Sequence, residues 1–130
     1  MISAMKDILC KAAKQVLLNS YSPYSKYRVG AAIMAGDKIY TGANIENASY
    51  GLTICGERSA AVAAISDGNR SIQGVAVAVE HGLSAPCGAC RQFLREFGIE
   101  YPVYLVNGDG TTLETTIDGL LPMSFGPEKL

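Results

Sequence analysis

Nowhere in the 130 residues do lysines and arginines gather into a block, and acidic side chains offset them to a net charge of −1. A protein that lives on phosphate backbones needs concentrated positive charge, so nucleic acid is not expected as a partner. Long apolar runs are missing as well: nothing approaches the roughly 18 residues that cross a membrane. The first twenty residues, MISAMKDILCKAAKQVLLNS, have neither the basic lead nor the unbroken apolar stretch of a secretory signal. The chain is therefore expected in the cytoplasm, where thiols stay reduced. Repeats, low-complexity tracts and linkers are absent too, so residues 1–130 are expected to form a single domain. Histidine occurs once, at His81, and takes no assigned role.

What is present is a lightly charged, globular composition, 48% apolar and 18% charged. Met5, Ile8, Leu9, Ala12, Ala13, Val16 and Leu17 recur at helical spacing, which predicts a helix over Ser3–Leu18 capped by Ser3. Two strands are predicted at Tyr27–Met34 and Lys38–Ala43, joined by a turn at Gly36–Asp37. The alanine-rich CGERSAAVAAISDG predicts a second helix over Cys55–Gly68. The apolar run Val75–Val79 predicts a strand, GACRQFLREFG a helix, YPVYLVNGDG and TLETTI two more strands, and DGLLPMSFGPEKL a helical turn with a tail. This order implies one mixed sheet with helices on its faces.

Four cysteines in a reducing compartment point to metal or catalysis before disulfides. Cys87 and Cys90 form a C-x-x-C in SAPCGACRQF, and Cys55 opens the earlier helix in TICGERSAA. The fourth, Cys10, lies off the apolar stripe of the first helix with no motif around it. A redox pair would need only two sulfurs. Three thiolates are the count of a catalytic zinc site, which leaves its fourth position open, whereas structural sites close with four protein ligands. Both ligand-bearing segments stand at predicted helix starts, where the helix dipole favours thiolate, and Pro86 suits such a start. Glu57, two residues past Cys55, can approach the metal without ligating it and move protons there. Arg58 beside it can donate to a cysteine sulfur and draw charge off an over-anionic cluster. The alternative is a structural zinc site closed by Cys10 or His81, with Glu57 and Arg58 as an ordinary ion pair at a helix start.

CGER followed at a distance by PCGAC resembles the zinc-dependent nucleobase deaminases, whose relatives place histidine or cysteine before x-E and then P-C-x-x-C. The all-cysteine form is similar to the homotetrameric cytidine deaminases of free-nucleoside metabolism. The likeness runs through YSPYSKYRVGAA, GANIENASYG, CGERSA, APCGACRQ and LLPMSFGP. It implies a three-layer α-β-α fold with a mixed five-stranded sheet and helices on both faces, and one zinc ion per subunit. It implies Cys55, Cys87 and Cys90 as zinc ligands and Glu57 as the catalytic residue. Asn44 and Glu46 would hold the ribose hydroxyls, although asparagine near a strand end is often plain turn chemistry. Tyr27 stands where the family commonly stacks a phenylalanine on the base. Gly56 replaces the alanine usual between cysteine and glutamate, and its backbone can still donate. Phe125 matches an aromatic that the family lends to a neighbouring subunit's site.

The implied reaction is hydrolytic deamination of cytidine and 2′-deoxycytidine, in which water activated on zinc adds to C4 and Glu57 protonates N3 and then the leaving amine. Three other readings stay open: a polynucleotide editor, a deaminase of a modified pyrimidine, and a zinc-stabilised binding module without catalysis. Neither a basic groove nor extra loops support the first, and the NIEN segment speaks for a ribose diol against the second.

Overall fold

The structure, a computed structural model, describes residues 2–130, with side chains from residue 4 onward. Helix α1 (Ile2–Val16) passes into a short 3-10 turn at Leu17–Asn19. The helix begins at Ile2, so Ser3, the expected N-cap, lies inside its first turn instead. The buried stripe of α1 is Leu9, Ala13 and Leu17, flanked by Met5, Cys10 and Ala12. This rotates the expected face. Ile8 is exposed and Cys10 packs at the edge of the core, because four-residue steps from Leu9 set the line of closest approach.

Strands β1 (Val29–Ala35) and β2 (Lys38–Ala43) form a hairpin. Its two turn residues, Gly36 and Asp37, adopt φ of +57° and +63°, the left-handed pair that matches strand twist. Helix α2 (Gly56–Ser66) is followed by β3 (Ile72–Val79), α3 (Gly88–Arg95), β4 (Pro102–Asn107), β5 (Thr112–Thr116) and the single turn α4 (Ile117–Leu120). The sheet runs β2-β1-β3-β4-β5. Only β3 and β4 are parallel, as the α3 crossover between them requires. Strand β1 starts two residues later than expected, because Tyr27 is held by a side chain rather than by a neighbouring strand. Strand β3 starts earlier, at Ile72. Gly74 disguised that start, yet a side chain there would press on Met5 and Leu9 of α1, at 3.1 and 3.2 Å.

Side chains alternate across the sheet and divide the core in two. Ala31, Ile33, Val75, Val77, Val103 and Leu105 face α2 and α3, joined by Ala60, Ala64 and Leu94. Ala32, Ala76, Ala78, Tyr104 and Val106 face α1. The architecture is thus three layers, helix, sheet and helices. The first turn of α2 lies unusually close to β2. A Cβ added at Gly42 would stand 2.7 Å from Ser59 Cβ and 2.8 Å from Gly56 O, so this glycine sets how deeply the start of α2 is seated.

Candidate active site

The two cysteine-bearing turns are built alike. Cys55 is the N-cap of α2 and Cys87 the N-cap of α3, both with extended backbone. An N-cap and the residue three positions on meet on one side of a helix start, the relation used by a capping box. Cys87 and Cys90 have that spacing, and their sulfurs lie 3.5 Å apart. Arg58 has it relative to Cys55 and donates from Nη2 to the Cys55 sulfur at 3.6 Å. Packing then brings the two turns together, with Cys55 Sγ 3.8 Å from Cys87 Sγ. All three sulfurs fall within 4.8 Å of one another, the only such group of metal-ligating side chains among the described residues. Cys10 is on the α1 side of the sheet and His81 is outside the group, so neither closes it.

Three sulfurs each about 2.3 Å from one tetrahedral zinc stand roughly 3.8 Å apart, and the observed spacings suit that ion. The charge pattern suits it too. Hydrogen bonding from the Cys90 thiol, and then from Arg58, draws Cys55 down to about 5, while the same proximity raises Cys90. Arg58 Nε is buried with no partner, which leaves one more donor beside the sulfurs.

Glu57, in the first turn of α2, is only 4% exposed, and this burial pushes its carboxyl up to about 7. It lines a pocket of about 260 Å³ together with Tyr27, Asn44, Glu46, Cys55 and Cys87. Larger hollows of about 600 and 500 Å³ lie along α1 and hold no cluster of ligating side chains. This small pocket combines a buried carboxyl with two of the three clustered sulfurs.

The polar residues around it have structural duties. The Asn44 amide is buried. Its Oδ1 accepts from Val29 N at 3.0 Å and from the Ser20 hydroxyl, and its Nδ2 donates to Tyr27 O at 2.7 Å. One amide hydrogen is left for a ligand. Asn44 thus welds the end of β2 to the entry of β1. Replacing Asn44 by alanine strands these backbone groups and is expected to cost about 2–3 kcal/mol, read as a lower urea midpoint with unchanged slope. An unchanged midpoint would show the weld to be dispensable.

Glu46 accepts from the backbone N–H of Tyr24 at 2.9 Å and of Ser25 at 3.1 Å, and from the Ser25 hydroxyl. These bonds hold its carboxyl below the usual range, the Ser25 hydroxyl foremost. The loop carrying Tyr27 is fastened to the loop after β2 by this carboxylate. Gly56 is buried against backbone: an added Cβ would meet Gly42 O and Val29 O at 3.2 Å, so its lack of a side chain fits the tight seat of α2. Cys90, Gly56, Arg58 and Phe125 do not line the pocket. Cys90 and Arg58 lie against the sulfurs and Gly56 adjoins Cys55, whereas Phe125 has no contact of this kind among the described residues. The residue is 58% exposed, and its carbonyl accepts from Gln92 Nε2 at 3.0 Å.

Ser25, Thr53, Ser84 and Ala85 also line the pocket and were not singled out in the sequence. Ser84 and Ala85 adjoin the cysteine pair, a usable signal. Ser25 and Thr53 come from loops whose path only the fold reveals.

Comparison with known proteins agrees with this geometry. A sequence model described as the cytidine and deoxycytidylate deaminase zinc-binding region matches residues 4–106. A cytidine deaminase of Sporosarcina psychrophila is 47% identical over 94% of this chain and 92% of its own. One from Halalkalibacterium halodurans is 43% identical over 96% of this chain and 97% of its own. The crystal structure of cytidine deaminase from Burkholderia pseudomallei superposes with a TM-score of 0.87 at 44% identity, covering 92% of this chain and 98% of that one. With the five-stranded three-layer fold and the three-cysteine group, these likenesses show that the chain belongs to the cytidine and deoxycytidylate deaminase family of enzymes.

Proposed function

We infer that this protein deaminates free cytidine and 2′-deoxycytidine hydrolytically, giving uridine and 2′-deoxyuridine with release of ammonia, as one step of cytoplasmic pyrimidine salvage. The observation that carries this reading is Glu57, a buried carboxyl on the turn that also carries Cys55, lining one pocket with two of the three clustered sulfurs. Cys55, Cys87 and Cys90 would hold one zinc ion per subunit, which when bound supplies a Lewis acid that makes water nucleophilic near neutral pH.

The remaining work belongs to the chain. Glu57 takes a proton from the attacking water and delivers it to N3 of the ring, then takes the second proton from the hydroxyl now on C4 and hands it to the departing amine, leaving the C4 carbonyl. Water is consumed and ammonia leaves, so the atoms balance. Burial keeps this carboxyl away from bulk solvent, where it would lose its proton to water. Arg58, donating to the Cys55 sulfur, draws electron density from that ligand. The Tyr27 ring at the pocket wall offers a stacking face for the pyrimidine. Glu46 keeps lone pairs beyond the three bonds it accepts and takes the ribose hydroxyls, with the spare Asn44 amide hydrogen beside it. The Gly56 backbone N–H adds a donor at the same turn.

The pocket is small for a ligand site, below the roughly 300–1,000 Å³ usual for one. Tyr50 and Leu52, in the loop leading to Cys55, are 77% and 65% exposed. Both facts support a homotetramer whose sites are completed near subunit interfaces, with Phe125 reaching a neighbour's pocket. Light scattering is expected to return the mass of four chains, and a monomer mass would remove Phe125 from the site. Nucleic acid and membranes are not partners in this reading. No described helix is long and apolar enough to cross a membrane. The direct test is ammonia release from cytidine by the purified zinc-loaded protein. Silence with zinc bound would overturn the reading.

A further inference from the structure

Helix α3 carries two of the three cysteines on its first turn, and its later turns grip the C-terminal segment. Arg91 Nε donates to Pro86 O and Arg91 Nη1 to Leu120 O, each at 2.7 Å. One residue on, Gln92 donates to the carbonyl of Phe125 at 3.0 Å. Arg95, a turn further, is buried, only 7% exposed. Its Nε donates to Ser124 Oγ at 2.6 Å and its Nη2 pairs with Glu128. Between those two partners, Gly126 lies directly on the guanidinium, where a Cβ would overlap Cζ and stand only 2.6 Å from Nη2. Gly126 has extended backbone, φ −155°, which any residue can adopt. The guanidinium therefore excludes a side chain there.

The segment Ser124–Glu128 is thus wrapped around one buried arginine, while the Phe125 ring in its middle stays out in solvent. Burying an arginine is costly unless its donors find partners, and here Nε and Nη2 find theirs in the tail. A buried cation spent on fixing the backbone either side of an exposed aromatic makes sense if the ring must be presented at a fixed place.

We propose that Arg95, helped by Gln92 and by the bare Cα of Gly126, is the positioning residue that presents Phe125 from the cysteine-bearing helix to a neighbouring subunit's nucleoside site. This rests on the deaminase reading, in which the Phe125 ring contacts bound nucleoside. The planar guanidinium is required because it bonds two partners in its plane while offering a flat face to Gly126, which an ammonium cannot do.

The test uses the zinc-loaded protein and Gly126→Ala, Arg95→Met and Phe125→Ala, alone and as Arg95→Met with Phe125→Ala. Hydrogen exchange of the peptide 121–130 is expected to speed up in both Gly126→Ala and Arg95→Met. The KM for cytidine is expected to rise roughly two- to tenfold, the worth of one aromatic contact, with kcat and zinc content unchanged. The double variant should show no more than the Phe125→Ala effect, because Arg95 acts through that ring. Unchanged tail exchange in Gly126→Ala and Arg95→Met overturns the clamp whatever the kinetics. Faster exchange with additive effects on KM overturns the action through Phe125. An unchanged KM in Phe125→Ala overturns the presenting role and identifies the ring, not the clamp, as the failed element. Absence of ammonia release from the parent protein would instead mark failure of the underlying function.

Discussion

Glu57→Gln is expected to abolish measurable ammonia release from cytidine while the protein stays folded and keeps its zinc. Glutamine has nearly the volume of glutamate, so the buried site keeps its packing. What it loses is the capacity to accept a proton from water and pass it on. A positioned acid–base group is worth on the order of 10²–10⁴ in rate, and in the proposed reaction this one serves two successive transfers, to N3 and to the amine. The loss should therefore fall at or beyond the upper end of that span. It should appear in kcat rather than in KM, because the interaction is realised in the transition state. Thermal stability is expected to hold or rise, since a buried carboxyl with no ion-pair partner among the described residues is replaced by a neutral amide. Metal analysis, thermal melting and steady-state kinetics on the same preparation separate these effects. Retained turnover at matched zinc content would remove Glu57 from the chemistry and favour a binding module whose zinc serves only structure.

Stripping the metal with a chelator is expected to bring turnover to background, and restoring zinc should recover it, without unfolding the chain in between. A small domain held together by zinc unfolds when the ion is taken away, because binding energy is its folding energy. Here the two hydrophobic clusters lie on the faces of a five-stranded sheet, and the sulfurs stand at helix starts where the sheet does not need them. Circular dichroism should keep its α/β signature in the stripped protein, with a lower melting temperature and faster hydrogen exchange at the starts of α2 and α3. Cys87→Ser gives the same answer from the protein side. Cys87 is exposed, so no cavity opens, and loss of activity reports the ligand itself. Collapse of the circular dichroism signal on chelation would make the three-sulfur group a structural clip.

Much of the site was legible in the sequence because its essential relations are local. An N-cap and the residue three positions later meet whenever a helix starts, so Cys87 and Cys90 were paired by spacing, whereas Arg58 was expected only to reach some cysteine sulfur and the fold makes it Cys55. Glu57 was placed near Cys55 by the same first turn. Strand β2 and the Gly36–Asp37 turn were legible for a similar reason, since turn chemistry and alternation act over a few residues. Boundaries drifted where a long-range contact overruled the local pattern, at Gly74 under α1 and at Tyr27 under Asn44.

The sequence by itself determined which side chains could hold a metal, which carboxyl could move protons beside it, and the order of helices and strands. Tertiary structure decided the rest. It joined Cys55 to Cys87 across 32 positions, turned Ile8 outward and Cys10 inward, gave Asn44 a structural duty, and left Phe125 outside its own chain's pocket. The physical reason is one of range. Helical turns and hairpins are fixed by bonds between near neighbours, whereas the meeting of α2 with α3 and the wrapping of the tail on Arg95 depend on which apolar faces the sheet buries together.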